Sequence, residues 1–132
     1  SGEQLLDGEK IAILALGPSA CRAKEAAMEF AAKEGKGPAV WDVRFLKPFD
    51  RQIREEIVSG RYDTIITVED GAIKGGLYSE TAEIIASSGV RTALVPLGIP
   101  DEFIHQDTQA QQRSECGIDK DKIFQKVLKY WK

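Results

Sequence analysis

The chain has 132 residues, 42% of them apolar and 30% charged, with a formal net charge of -3. That length fits one domain, and a chain of this size buries roughly 65 to 70% of its unfolded surface, enough for a core without staples. The composition excludes disorder, and the slight acidity without a Lys or Arg cluster argues against a nucleic-acid surface.

Two cysteines, Cys21 and Cys116, lie far apart, with neither C-x-x-C spacing nor neighbouring histidines. They argue against a metal site or a disulfide framework and for a reducing cytoplasm. The apolar runs fall short of the roughly 20 residues that cross a membrane. Starting at Ser1-Gly2 without Met, the chain reads as a segment cut from a longer protein, with those two residues a possible cloning scar.

At the start, QLLDGEKI sets Asp7-Gly8 between short apolar segments, which suits a tight hairpin turn and an extra antiparallel strand at Gln4 to Leu6. The run KIAILALG, Lys10 to Gly17, has the continuous apolar character of a strand buried on both faces of a parallel sheet. Ser19 is placed to cap a helix through Glu34, with Ala23, Ala26, Ala27, Phe30 and Ala31 on one small apolar face. Gly35, Gly37 and Pro38 stop it.

The second core strand is Ala39 to Val43. In the loop that follows, Pro48 holds Lys47 out of helical geometry and Asp50 is placed to cap a helix to Ser59, with Ile53, Ile57 and Val58 inward. Thr64 to Val68 is the next strand, Tyr78 to Ser88 the next helix, and Arg91 to Leu97 the last strand. This alternation specifies a parallel sheet covered by helices. An irregular arm from Gly98 to Thr108 leads to a short helix from Gln109 to Cys116. A final helix from Asp119 carries an apolar stripe of Ile123, Val127, Leu128 and Trp131 that should pack back on the sheet. Trp41 and Trp131 are expected to be packing residues.

The stretch VEDGAIKGGLYSE, Val68 to Glu80, is the most suggestive. It sits beyond the carboxyl end of a parallel strand, where ligands gather in such sheets. Amides at Gly75, Gly76 and Leu77, with Lys74 beside them, suit a phosphate or carboxylate at a helix start. The spacing matches neither of the common phosphate-binding glycine motifs, and a ligand-free glycine turn has the same look. The favoured reading has Glu69 and Asp70 bonding loop amides or a neighbouring subunit. Arg44, Lys47 and Asp50 suit either an anion clamp or, as the favoured alternative, ion pairs with a neighbouring loop. His105, the only histidine, has no nucleophile at a recognisable elbow and reads as a surface or loop residue.

Three segments in order carry a resemblance: VWDVRFLKPFD, VEDGAIKGGLYSE and LGIPDEFI. They resemble the C-terminal domain of thiamine-diphosphate-dependent transketolases, most closely the 1-deoxy-D-xylulose-5-phosphate synthase branch. The first matches D-x-R-F-x-K-P-L-D at Asp42, Arg44, Phe45, Lys47, Pro48 and Asp50, with Phe49 for leucine. The second matches T-V-E-D and a G-G-x-x-S turn at Thr67, Val68, Glu69, Gly75, Gly76 and Ser79. The third matches L-G-x-P-D-x-F-I at Leu97, Gly98, Pro100, Asp101, Phe103 and Ile104. Where many relatives read E-H-G, this chain reads His105-Gln106-Asp107, and Tyr78 stands where they carry a small residue.

The resemblance implies a three-layer α/β/α fold whose mostly parallel five-stranded sheet has one antiparallel edge strand, which need not pair with its sequence neighbour. It also implies a third domain of a homodimeric enzyme, scaffolding rather than catalytic. The parent would use thiamine diphosphate and magnesium to join pyruvate and glyceraldehyde 3-phosphate, feeding isoprenoid, thiamine and pyridoxal synthesis. The family's cofactor motif, G-D-G followed by N-N, belongs to another domain, and this chain has no asparagine. Its own candidates are interface or anion-contact residues: Arg44, Lys47, Asp50, Glu69, Asp70, Lys74, Gly75, Gly76 and Asp101. Rivals are the equivalent domain of a transketolase or of a 2-oxoacid dehydrogenase decarboxylase beta subunit, and a stand-alone anion-binding module.

Overall fold

The computed structural model describes residues 2–44, 50–70, 76–99 and 120–132. In chain order the elements are β1 (Glu3–Leu6), β2 (Lys10–Leu16), α1 (Ser19–Glu34), β3 (Ala39–Val43), α2 (Arg51–Val58), β4 (Tyr62–Asp70), α3 (Gly76–Ser88), β5 (Ala93–Ile99) and α4 (Lys120–Tyr130). The proposed short helix at Gln109 to Cys116 and most of the irregular arm lie outside the described residues, as do Pro48, Phe103 and His105.

The five strands form one sheet in the order β1-β3-β2-β4-β5. Contacts of β3 with β2, β2 with β4 and β4 with β5 are parallel. Because side chains alternate across a strand, β2 feeds two cores. Ile11, Ile13 and Ala15 face α1 and α4, where Ala23, Ala26, Ala27, Phe30, Ile123 and Val127 are buried. Ala12, Leu14 and Leu16 face α2 and α3, where Ile53, Ile57, Leu77 and Ile84 are buried. The result is a three-layer α/β/α sandwich. Alanines along α1 let that helix lie close, and α4 packs on the same side.

The edge strand exists, but the hairpin does not. β1 runs antiparallel to β3, with Glu3 opposite Asp42 and Gln4 opposite Trp41, and makes no ladder with β2. The turn chemistry at Asp7-Gly8 serves a crossing instead of a reversal. A Cβ on Gly8 would lie 2.2 Å from the Pro38 carbonyl carbon and 2.4 Å from the Ala39 nitrogen. The Glu9 amide then donates to the Gly37 carbonyl at 3.0 Å. Glycine is required here because two stretches of backbone touch.

Ser19 does not cap α1 from outside. It is the first helical residue, and Pro18 stands at the cap position in helical geometry without a side-chain bond. The Gly17-Pro18 turn, closed by Ala20 N–H on the Gly17 carbonyl at 3.1 Å, already has the helix's sense. The buried Ser19 hydroxyl finds no hydrogen-bond partner among the described residues. At the other end Gly35, φ 86°, terminates the helix in left-handed geometry, its amide bonding the Ala31 carbonyl. Val58 is 38% exposed: eight residues of α2 offer the core two positions one turn apart, Ile53 and Ile57, and Val58 lies about 100° further round. Leu128 is likewise 48% exposed, outside the stripe that buries Ile123 and Val127. Trp41 is buried in the sheet and Trp131 packs at 5.0 Å from Phe30.

Cys21, in the first turn of α1, is disulfide-bonded, and its partner lies outside the described residues. This corrects the expectation drawn from cysteine spacing, since separation along the chain does not limit approach in a packed fold. No described helix is long and apolar enough to cross a membrane.

Placing a methyl group where two backbones meet forces them apart, so Gly8→Ala is expected to destabilise the chain by about 3 kcal/mol. Urea unfolding followed by circular dichroism measures this, and a midpoint equal to that of the parent sequence would contradict the crossing.

Candidate functional site

β4 extends two residues past Val68, carrying Glu69 to the sheet's carboxyl edge, where α3 begins at Gly76. Glu69 is only 4% exposed. Its Oε1 accepts the Leu77 amide at 3.0 Å and its Oε2 the Tyr78 amide at 3.1 Å. These are amides of the first helical turn, which have no partner within the helix. A buried carboxylate at this end also meets the positive end of the helix dipole. Glu69 is therefore a cap delivered from the preceding strand, and it links the end of β4 to the first turn of α3. Thr81, buried one turn on, donates its hydroxyl to the Leu77 carbonyl at 2.8 Å.

A second group gathers around the N-terminal strand. Asp50 Oδ1 accepts the Gln52 amide at 2.7 Å, capping α2, while Oδ2 accepts the Gly2 amide at 3.0 Å. The Gln52 amide is the foremost cause holding the Asp50 carboxyl below its ordinary 3.8, with the Gly2 amide adding to it against partial desolvation. Arg44, just past β3, bonds Glu3 Oε1 at 2.7 Å and approaches Asp42 Oδ2 at 3.6 Å. At 51% side-chain exposure of Arg44 the Arg44–Glu3 pair adds little stability, and it links the start of β1 to the end of β3.

The candidates thus fall into two clusters, and no hydrogen bond or ion pair joins them among the described residues. Arg44 and Asp50 converge on β1; Glu69 and Gly76 converge at the start of α3; Asp70 ends β4. Lys47, Lys74, Gly75 and Asp101 lie outside the described residues. The Leu77 amide, one of three proposed for an anion, is already engaged by Glu69. The cap was hard to read from sequence because donor and acceptor are eight residues apart, beyond the three-residue spacing of a capping box. Among the described residues, no three His, Cys, Asp or Glu side chains are grouped to hold a metal ion.

Glu69→Ala strands one buried and one partly buried amide and is expected to cost about 2 to 3 kcal/mol, with Glu69→Gln in between because its amide group turns a donor toward one of the helix N–H groups. Equilibrium unfolding of both variants checks the order; a neutral Glu69→Ala would refute the cap. Asp50 adds a pH signature. Its folded-state value lies below the unfolded one, so its stabilisation is present above the unfolded value of 3.8 and is lost as pH falls through the lowered folded value. Thermal melts on the acid side should therefore fall more steeply for the parent sequence than for Asp50→Asn, and parallel curves would refute this.

Residues 1–123 match the family model described as the C-terminal domain of transketolase. Among curated proteins the chain is similar to 1-deoxy-D-xylulose-5-phosphate synthases. It is 36% identical to that of Bacteroides thetaiotaomicron, over 97% of this chain and 20% of the relative. It is 40% identical to that of Aquifex aeolicus, over 95% of this chain and 20% of the relative. Among solved structures, a chain of a split-gene transketolase, described as an inactive beta4 tetramer, superposes with a TM-score of 0.73 at 28% identity, covering all of this chain and 43% of that one. The segment therefore spans about a fifth of the length of the curated relatives it matches. With the family model covering most of its length and a transketolase chain superposing over all of it, this chain belongs to the transketolase C-terminal domain family.

Proposed function

We propose that this chain is the third domain of a 1-deoxy-D-xylulose-5-phosphate synthase and that its part in the enzyme is structural. It packs on the catalytic domains and supports the homodimer, while those domains condense pyruvate with glyceraldehyde 3-phosphate. The similarity to synthases along almost the whole chain, at a fifth of their length, supports this assignment. The observation that carries the non-catalytic role is the Glu69 cap: a carboxylate of the chain itself already holds the Leu77 amide, one of the three that an anion would meet at this helix start.

Thiamine diphosphate and magnesium belong to the parent enzyme in this reading. The candidate residues that the structure describes are taken up within the chain: Glu69 closes the helix start, Asp50 is engaged by two amides, and Arg44 pairs with Glu3. Arg44, Asp50, Glu69, Asp70 and Gly76, with Lys47, Lys74, Gly75 and Asp101, are then residues of a corner that meets protein rather than substrate. The split-gene transketolase solved as a tetramer is a related case in which chains holding this fold assemble with one another. A cytoplasmic setting accompanies the synthase reading. The Cys21 disulfide stands against it, since disulfides are rare in reducing compartments; trapping the thiol state of Cys21 in intact cells decides between them.

Calorimetry with thiamine diphosphate and magnesium should register no binding to this chain, and micromolar affinity would overturn the structural role. Titration with glyceraldehyde 3-phosphate should leave the Gly76 and Leu77 amide signals in place; saturable shifts there would favour the anion-binding module. Deleting the segment from the intact parent should abolish the dimer seen by light scattering, whereas a dimer with full turnover would refute its supporting role.

A further inference from the structure

Lys10 opens β2 with φ 69° and is, among the described residues, the one non-glycine with a positive φ. Across it the Ile11 amide donates to the Glu9 carbonyl at 2.7 Å. That closes a γ-turn of the rarer, strained hand. The ladder to β4 shifts register at the same point, between Lys10 and Ile11. Strain of this kind persists only where the surroundings over-determine it, and glycine would adopt the same turn freely.

The side chain supplies the reason for lysine. Lys10 Nζ donates to the main-chain oxygen of Lys132 at 2.7 Å and lies 5.0 Å from the centre of the Trp131 ring. Trp131 packs at 5.0 Å from the fully buried Phe30 of α1, and Phe30 at 5.6 Å from Phe124 of α4. The Trp131 amide closes the last turn of α4 on the Val127 carbonyl at 2.9 Å. The start of the same helix is held separately, by Lys120 on Glu29 at 3.0 Å.

We infer that Lys10 is the catch of a C-terminal strap: the strained turn aims its ammonium at Trp131 and Lys132, and that contact latches the end of α4 down on α1. Trp131 lies against Phe30, so the latch decides whether that ring contact stays closed. Lys10 acts through Trp131 and is a positioning residue.

Amide hydrogen exchange on this chain tests the latch. Lys10→Met should speed exchange of the Trp131 amide about tenfold while Ile13 and Leu14 in β2 keep their rates. Lys10→Arg, which retains a cation over the ring, should stay within about twofold of the parent. Raising salt on the unaltered chain should accelerate Trp131 and not β2, an arm that stands even where a variant fails to fold. An unchanged Trp131 rate in Lys10→Met, a rise in Lys10→Arg as large as in Lys10→Met, a parallel rise in Ile13, or insensitivity to salt would each overturn the inference.

Discussion

The Glu69 carboxylate is the constraint on which the carboxyl edge of the sheet depends. A helix start placed against a strand end leaves amides that water cannot reach, and each buried donor must find an acceptor. Here the acceptor comes from the strand that precedes the helix. One side chain thus satisfies two donors, opposes the helix dipole, and fixes the distance between β4 and α3. The same side chain that stabilises the corner occupies the Leu77 amide, one of those a free anion would meet there.

Electrostatics elsewhere follow a similar logic. Asp50 joins the N-terminal strand to α2 through two amides, and Arg44 pins that strand's first residue. Polar groups at strand ends, which in many open parallel sheets face a substrate, here serve chain segments of the domain itself. Apolar layering does the remaining work: Ile11 and Ile13 on one side and Leu14 on the other are buried in the middle of the central strand.

Much of the fold was legible in the amino-acid pattern. The continuous apolar runs of β2 and β4, the small-residue face of α1, the Asp50 cap and the glycine stop at Gly35 are local signals, and the local chemistry prevailed at each. Errors arose where a residue type serves two geometries. Asp-Gly fits a hairpin, but Gly8 is demanded by a backbone crossing that no nearby residue announces. Serine before a helix suggests a cap, yet a Gly-Pro turn had already begun the helix at Ser19. Val58 obeys the apolar pattern, and a helix of two turns has no further core position for it. At the candidate site the residues were visible, but their partners were not. Glu69 reaches amides eight and nine residues on and Arg44 bonds a residue on another strand, and those pairings exist only after the sheet has formed.

The antiparallel strand β1 has an effect beyond register. Without it, β3 would present the hydrogen-bonding edge of a sheet whose neighbouring side chains include Val40, Trp41 and Val43, all buried in the intact chain. An uncovered, apolar edge is a template for strands of other molecules. β1 therefore shields that edge, and a form lacking Glu3–Leu6 is expected to self-associate rather than simply unfold.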